Sequence, residues 1–121
     1  MRVDQIRTPA LLLDRARLKR NIERMHARAT ALKVALRPHL KTAKSAKVAR
    51  LATRGQDGGI TVSTLAEARY FLANGFRDIT YAVGIVPSKL DDVAALARAG
   101  VRLALLTANP AVAAAIAARG T

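Results

Sequence analysis

Apolar positions in this chain form five short runs, separated by longer stretches in which they recur every three or four residues. The first run predicts a strand over 9–14, and Asp14 then stands where a cap is needed for a helix over about 15–32. Leu18, Ile22, Met25, Ala29 and Leu32 share one face of that helix. A strand over 34–40 and a short helix over about 45–53 follow. The third run, 59–63, leads into a helix over about 65–74, with Gly75 placed to end it in the left-handed conformation. The fourth, 79–83, precedes Pro87-Ser88 and a helix to Ala99, closed by Gly100. The fifth, 101–107, precedes a helix with Pro110 in its first turn and Gly120 after its end.

Strands alternating with helices at this spacing imply βα units and a parallel sheet. The pattern leaves two folds in competition, a doubly wound open sheet and a (β/α) barrel. No glycine-rich phosphate loop follows the first strand, which weakens the dinucleotide-binding version of the open sheet.

Composition narrows the function classes. At 121 residues the chain has the size of one small domain, and an apolar fraction of 51% argues for a folded chain over a basic disordered tail. With no cysteine, neither a disulfide framework nor a thiolate metal site or nucleophile can form. The Leu11-Leu12-Leu13 run stops at Asp14, too short for a signal-peptide core, so the expectation is a cytoplasmic protein with no membrane partner. The formal charge of +13 raises nucleic-acid binding as an alternative. Against it, Arg17, Arg20, Arg24 and Arg28 recur at helical spacing as one solvated stripe, and aromatic residues make up only 3% of the chain.

The stretch Leu36-Arg37-Pro38-His39-Leu40-Lys41-Thr42-Ala43-Lys44-Ser45 carries the candidate chemistry. In a strand, Leu36, Pro38 and Leu40 share one face, and Arg37, His39 and Lys41 the other. Leaving the second set buried without partners would cost several kcal/mol each, so partners should be sought. The bland alternative is an edge strand whose second face meets water. Lys44 and Lys47 read as surface lysines, and His26 as a surface residue of the first helix. Ser63 and Thr64 end a strand, where they can line a pocket or cap the next helix.

Arg37-Pro38-His39-Leu40-Lys41-Thr42 followed by Lys44-Ser45 resembles the cofactor-binding segment of the D-threonine aldolase and D-serine dehydratase family. These are fold-type III pyridoxal-phosphate enzymes, which share the alanine racemase N-terminal domain. The resemblance continues in Thr8-Pro9-Ala10-Leu11-Leu12-Leu13-Asp14, Asn21-Ile22, Val62-Ser63-Thr64-Leu65-Ala66-Glu67-Ala68 and Val86-Pro87-Ser88-Lys89-Leu90. It covers nearly all of the chain, in order.

The resemblance implies a partial (β/α)8 TIM-type barrel, α/β in class, with about half the barrel present over 15–121. Residues 1–14 would be an entry strand that the family packs into a second domain. It implies that Lys41 is the catalytic Schiff-base lysine for pyridoxal 5'-phosphate, with His39 and Arg37 as further cofactor-binding residues. A lysine amine must be neutral to attack an aldehyde although its reference pKa is about 10.4, and desolvation and the nearby Arg37 cation would favour that form. The implied activity is that of a lyase on small D-3-hydroxy amino acids. An aldolase-type reaction releases an aldehyde after the β-hydroxyl is deprotonated, whereas in a dehydratase-type reaction the α-proton leaves first. The segment does not separate the two. The tyrosine and histidine that follow the lysine in alanine racemases are missing, which favours lyase over racemase. Family members commonly carry histidine where this chain has Ala43, which puts the role of that histidine in doubt.

The divalent metal of the family is held by a histidine and an acidic or cysteine residue in its far carboxyl-terminal part, to which nothing here can be matched. A closed barrel of this kind takes about 250 residues. The expectation is therefore an amino-terminal fragment, a part of a larger polypeptide, or a half that associates, a homodimer included, with open sheet edges when alone. A non-catalytic pyridoxal-phosphate-binding protein remains the alternative of a different class.

Overall fold

A computed structural model describes residues 2–56 and 58–119. Helix α1 (Arg15–Ala31) starts at Asp14, whose Oδ1 accepts the Arg17 N–H at 2.9 Å. Helix α2 (Ala46–Thr53) is capped by Ser45, and strand β1 (Ile60–Val62) leads into α3 (Leu65–Ala73), capped by Thr64. Strand β2 (Asp78–Gly84) is followed by a 3-10 turn over Pro87–Lys89 and helix α4 (Leu90–Arg98). Strand β3 (Arg102–Leu106) and helix α5 (Pro110–Ala118), capped by Asn109, complete the described chain. Each of these caps gives one orphan helix-end N–H a side-chain acceptor. Gly75 and Gly100 end their helices at φ +89 and +88, as their positions imply, because a Cβ is disfavoured there. The expected Gly120 terminator lies outside the described residues.

The three strands form one parallel sheet in chain order, and each connection is a helix, which parallel neighbours require. Ile60 pairs with Ile79 and Ile79 with Leu103; Val62 pairs with Tyr81 and Tyr81 with Leu105. These residues share the face under the helices, where Ile60, Val62, Ile79, Tyr81 and Leu40 are buried against Ala68 and Phe71 of α3 and Leu90 of α4. Burying a side chain of this size contributes on the order of 2 kcal/mol, so this layer holds the domain together.

Two expected strands are corrected. The run over 34–40 contributes a single parallel bridge, His39 with Thr61, built from Thr61 N–H to Pro38 O and Leu40 N–H to Thr61 O, both 2.9 Å. Pro38 has no N–H to extend the ladder. Upstream, the Val34 N–H is taken by Ala29 O at 3.0 Å, closing the end of α1. The run over 9–14 forms no strand, and Leu11, Leu12 and Leu13 are exposed. A strand exists only against a neighbour, and none lies beside this run among the described residues.

Helix α1 sits loosely on the rest. Of its apolar face, Ala29 is buried, Leu18 and Ile22 are half-buried, and Met25 and Leu32 stay exposed. Among the described residues no helix is long and apolar enough to cross a membrane.

Candidate functional site

The second face of the sheet is organised in rows across the strands, as layers are across a barrel interior. At the amino-terminal ends of the strands, Asp78 pairs in register with Arg102. Gly59 and Arg37 lie at the same level, two residues before the Thr61–His39 bridge. The Arg37 guanidinium reaches across Gly59 to grip both Asp78 carboxylate oxygens, at 2.8 and 3.0 Å, and Arg102 binds the same carboxylate. Gly59 makes this possible, because a Cβ there would collide with the Asp78 backbone oxygen and with both side chains of the pair. The Arg37 guanidinium, joined by Arg102, holds the Asp78 carboxyl below its usual range against the opposing effect of burial.

The middle row is His39, Thr61, Thr80 and Ala104, joined by the bridge and by two register pairs. The His39 Nδ1 accepts the Lys41 backbone N–H at 3.2 Å, and its Nε2 lies 3.3 Å from the Ser63 hydroxyl. An acceptor at Nδ1 places the proton of the neutral ring on Nε2, so the imidazole donates to Ser63 Oγ. His39 thus ties the bridge segment that carries it to the end of β1.

Lys41 follows at the carboxyl-terminal end, the first residue of a turn and exposed. Among the described residues its amine has no carboxylate partner, while Lys44 and Lys19 have Glu67 and Glu23. Parallel barrels build their sites at this end of the strands. Arg37 is not brought here. Four residues of extended chain, about 13 Å at strand rise, separate it from Lys41, and its charge is spent on Asp78. The expected help from Arg37 in neutralising the lysine amine is therefore corrected, and the structure gathers His39, Lys41 and Ser63 without it.

Several surface assignments change as well. Lys44 is not an ordinary surface lysine. Its backbone sits at φ +43, a conformation that costs a non-glycine residue about 1 kcal/mol, and its Nζ lies 3.3 Å from Glu67 Oε1. Glu67 is 8% exposed, and its other oxygen accepts the Ser63 N–H at 2.8 Å. Burial pushes the Glu67 carboxyl up, but the Ser63 N–H and Lys44 outweigh it and leave it below its usual range. Thr64 caps α3 by accepting the Glu67 N–H at 3.0 Å, and Ser63 faces His39. The Thr64-x-x-Glu67 spacing is the sequence signal that could have exposed Glu67. His26 is half-buried, with Nε2 2.8 Å from Ala52 O, and it joins α1 to α2.

The apolar concavities lie elsewhere. One of about 360 Å³ between α1 and the first bridge segment is lined by Ile22, Met25, His26, Leu36, Pro38 and Ala52, and none of its walls is Lys41, His39 or Ser63. Among the described residues no three histidine or acidic side chains gather as a metal site would require.

The chemistry present at the strand ends fits an aldehyde-bearing cofactor in its covalent anchor. At the carboxyl-terminal end of the sheet stands a lysine for whose amine the described residues hold no carboxylate partner, and its backbone N–H donates to an imidazole that in turn meets a serine hydroxyl.

Comparison with known proteins gives the family. The family model described as "Alanine racemase, N-terminal domain" matches residues 13–121. Over 113 residues the chain is 48% identical to D-threo-3-hydroxyaspartate dehydratase of Delftia sp. (strain HT23), taking in 93% of this chain and 30% of that enzyme. It is 34% identical over 95 residues to D-serine dehydratase of Dictyostelium discoideum, taking in 74% of this chain and 24% of that one. The solved Delftia dehydratase superposes with a TM-score of 0.90 at 47% identity, covering 96% of this chain and 31% of that structure. D-threonine aldolase from Filomicrobium marinum superposes at 0.85 with 26% identity, covering 93% of this chain and 30% of that structure. The chain thus spans about 30% of the length of these solved enzymes. Its sequential parallel strands with helices on one face are part of an alanine-racemase-type barrel.

Proposed function

This chain belongs to the alanine racemase N-terminal domain family, and from that premise we propose that it supplies the cofactor-anchoring part of a pyridoxal-phosphate-dependent lyase. The substrates are D-3-hydroxy amino acids, and Lys41 is the residue that bonds the cofactor. The observation that carries the reading is the position of Lys41, exposed just after the His39–Thr61 bridge, at the carboxyl-terminal end of the sheet, with no carboxylate partner among the described residues. Relatives that release water and relatives that release an aldehyde both match, so the class of bond broken is stated only as the lyase cleavage that the two share.

When bound, pyridoxal phosphate supplies an electron sink for the bond to be broken. The protein contributes placement. Lys41 presents its amine at the open end of the sheet, where substrates can reach it. His39 fixes the backbone from which that side chain departs, by accepting the Lys41 N–H at Nδ1. Ser63 fixes His39 in turn, its Oγ accepting a hydrogen bond from the Nε2–H. Thr61 and Thr80, half-buried on the same face, stand in the row of His39, two residues before the lysine. Arg37 serves the opposite end of the sheet.

The test is an absorbance titration of the protein and of Lys41→Ala with pyridoxal phosphate. A visible band that is lost on borohydride reduction and absent from the variant supports the reading. D-threo-3-hydroxyaspartate, D-serine and D-threonine should then perturb the band while their L-enantiomers leave it unchanged. A band of equal strength in Lys41→Ala would remove Lys41 from its assigned role.

A further inference from the structure

The turn that carries Lys41 is held from two sides. Within the chain, the Lys44 N–H donates to Leu40 O at 2.8 Å and closes a loop of five residues around Lys41. From outside it, the Lys44 ammonium reaches Glu67 Oε1 at 3.3 Å, and the same carboxylate accepts the Ser63 N–H through Oε2 at 2.8 Å. Ser63 then meets His39, and His39 accepts the Lys41 N–H. A closed circuit results: Lys41, His39, Ser63, Glu67, Lys44 and back through the turn.

The two members of the ion pair differ in a telling way. Lys44 has a side chain 64% exposed, free to extend into water, yet its backbone is held in the left-handed region. Glu67 is the only buried charged or polar side chain in the described core and could not sit there without a cation or N–H donor facing each oxygen. Capping of α3 does not require Lys44, because Thr64 already accepts the Glu67 N–H. The ion pair therefore has the turn as its remaining structural object.

We propose that Lys44 and Glu67 form a clasp that fixes the Leu40–Lys44 turn and thereby sets where the Lys41 amine is presented. Both are positioning residues. They act through the backbone of the turn and through the Ser63–His39 link, and neither needs to touch cofactor or substrate. The proposal rests on the reading of Lys41 as the cofactor-bonding lysine, and its test is arranged to separate the two.

Amide hydrogen exchange is measured first, on the full chain without cofactor, for wild type, Lys44→Met, Lys44→Arg and Glu67→Gln, with Lys47→Met as control. Lys44→Met and Glu67→Gln should speed exchange across 41–44 by about tenfold, Lys44→Arg should restore protection, and Lys47→Met should match wild type. Borohydride trapping of pyridoxal phosphate, mapped by mass spectrometry, follows on the same proteins. Labelling at Lys41 should fall several-fold in Lys44→Met and Glu67→Gln and recover in Lys44→Arg. Should Glu67→Gln melt early, Lys44→Met carries the test, because it leaves Glu67 bonded to Ser63. Wild-type labelling at Lys41 with unchanged exchange and unchanged labelling in both variants would overturn the clasp alone. Wild type that never labels at Lys41 would overturn the lysine assignment, and the clasp's purpose with it.

Discussion

The two ends of the inner sheet face are built on opposite principles. At the amino-terminal end, a single carboxylate, Asp78, is shared by Arg37 and Arg102, and a glycine at 59 clears the space between them. Every charge there has a partner supplied by a neighbouring strand. At the carboxyl-terminal end the chain places a lysine, Lys41, for which the described residues hold no carboxylate, and fixes its backbone N–H on His39, which in turn meets Ser63. The carboxylate available nearby, Glu67, is turned to Lys44 instead. One end spends its charges on cohesion; the other leaves the Lys41 side chain without a carboxylate among the described residues. The difference teaches why Arg37 and Lys41, four residues apart in one segment, have unrelated jobs.

Breaking each end should therefore give different symptoms. The largest effect is expected from Lys41→Ala, which should abolish covalent capture of pyridoxal phosphate while leaving the urea midpoint where it was. Next comes Asp78→Ala, which strands two arginines and should cost about 1–3 kcal/mol in urea denaturation, with trapping at Lys41 retained in the folded fraction. Gly59→Ala should destabilise by a similar or slightly smaller amount, about 1–2 kcal/mol, because the new methyl must displace the Asp78 backbone and the Arg37 grip.

Acid sharpens the comparison further. Both Asp78 and Glu67 have folded-state pKa values below their unfolded ones, so each takes up protons on unfolding. Their contribution to stability is present above the ordinary carboxylate range and is lost as pH falls through the lowered values. Urea midpoints measured from neutral pH down to acid should fall, and Asp78→Asn should fall less steeply than wild type. The smallest effect, within about 0.5 kcal/mol, is expected for Lys47→Ala at the surface of α2.

Much of this is legible in the sequence alone. The helices announce themselves because Asp14 and Thr64 fall where caps must, Pro110 falls in a first turn, and Gly75 and Gly100 fall where helices must stop. The alternation predicts that Arg37, His39 and Lys41 share one face and calls for partners, and the structure bears this out for Arg37 and His39. The alternation could not name those partners, because Asp78 lies 41 residues away and Ser63 lies 24 away in the chain. Alternation gives a face but not an end, so it groups Arg37 with the lysine although Arg37 pairs with Asp78 at the amino-terminal end. The strand over 34–40 was overestimated because its hydrophobic pattern carries no record of where its N–H groups go. Lys44 looked like any solvated cation, since a left-handed backbone and a buried acidic partner leave no local mark on a lysine.

The most direct measurement is borohydride reduction of the protein with pyridoxal phosphate, followed by proteolysis and mass mapping of the labelled lysine. With the carboxyl-terminal lysine free and the amino-terminal charges spent, label should concentrate on Lys41 and spare Lys33, Lys44, Lys47 and Lys89. Label spread across the exposed lysines in proportion to their accessibility would contradict it.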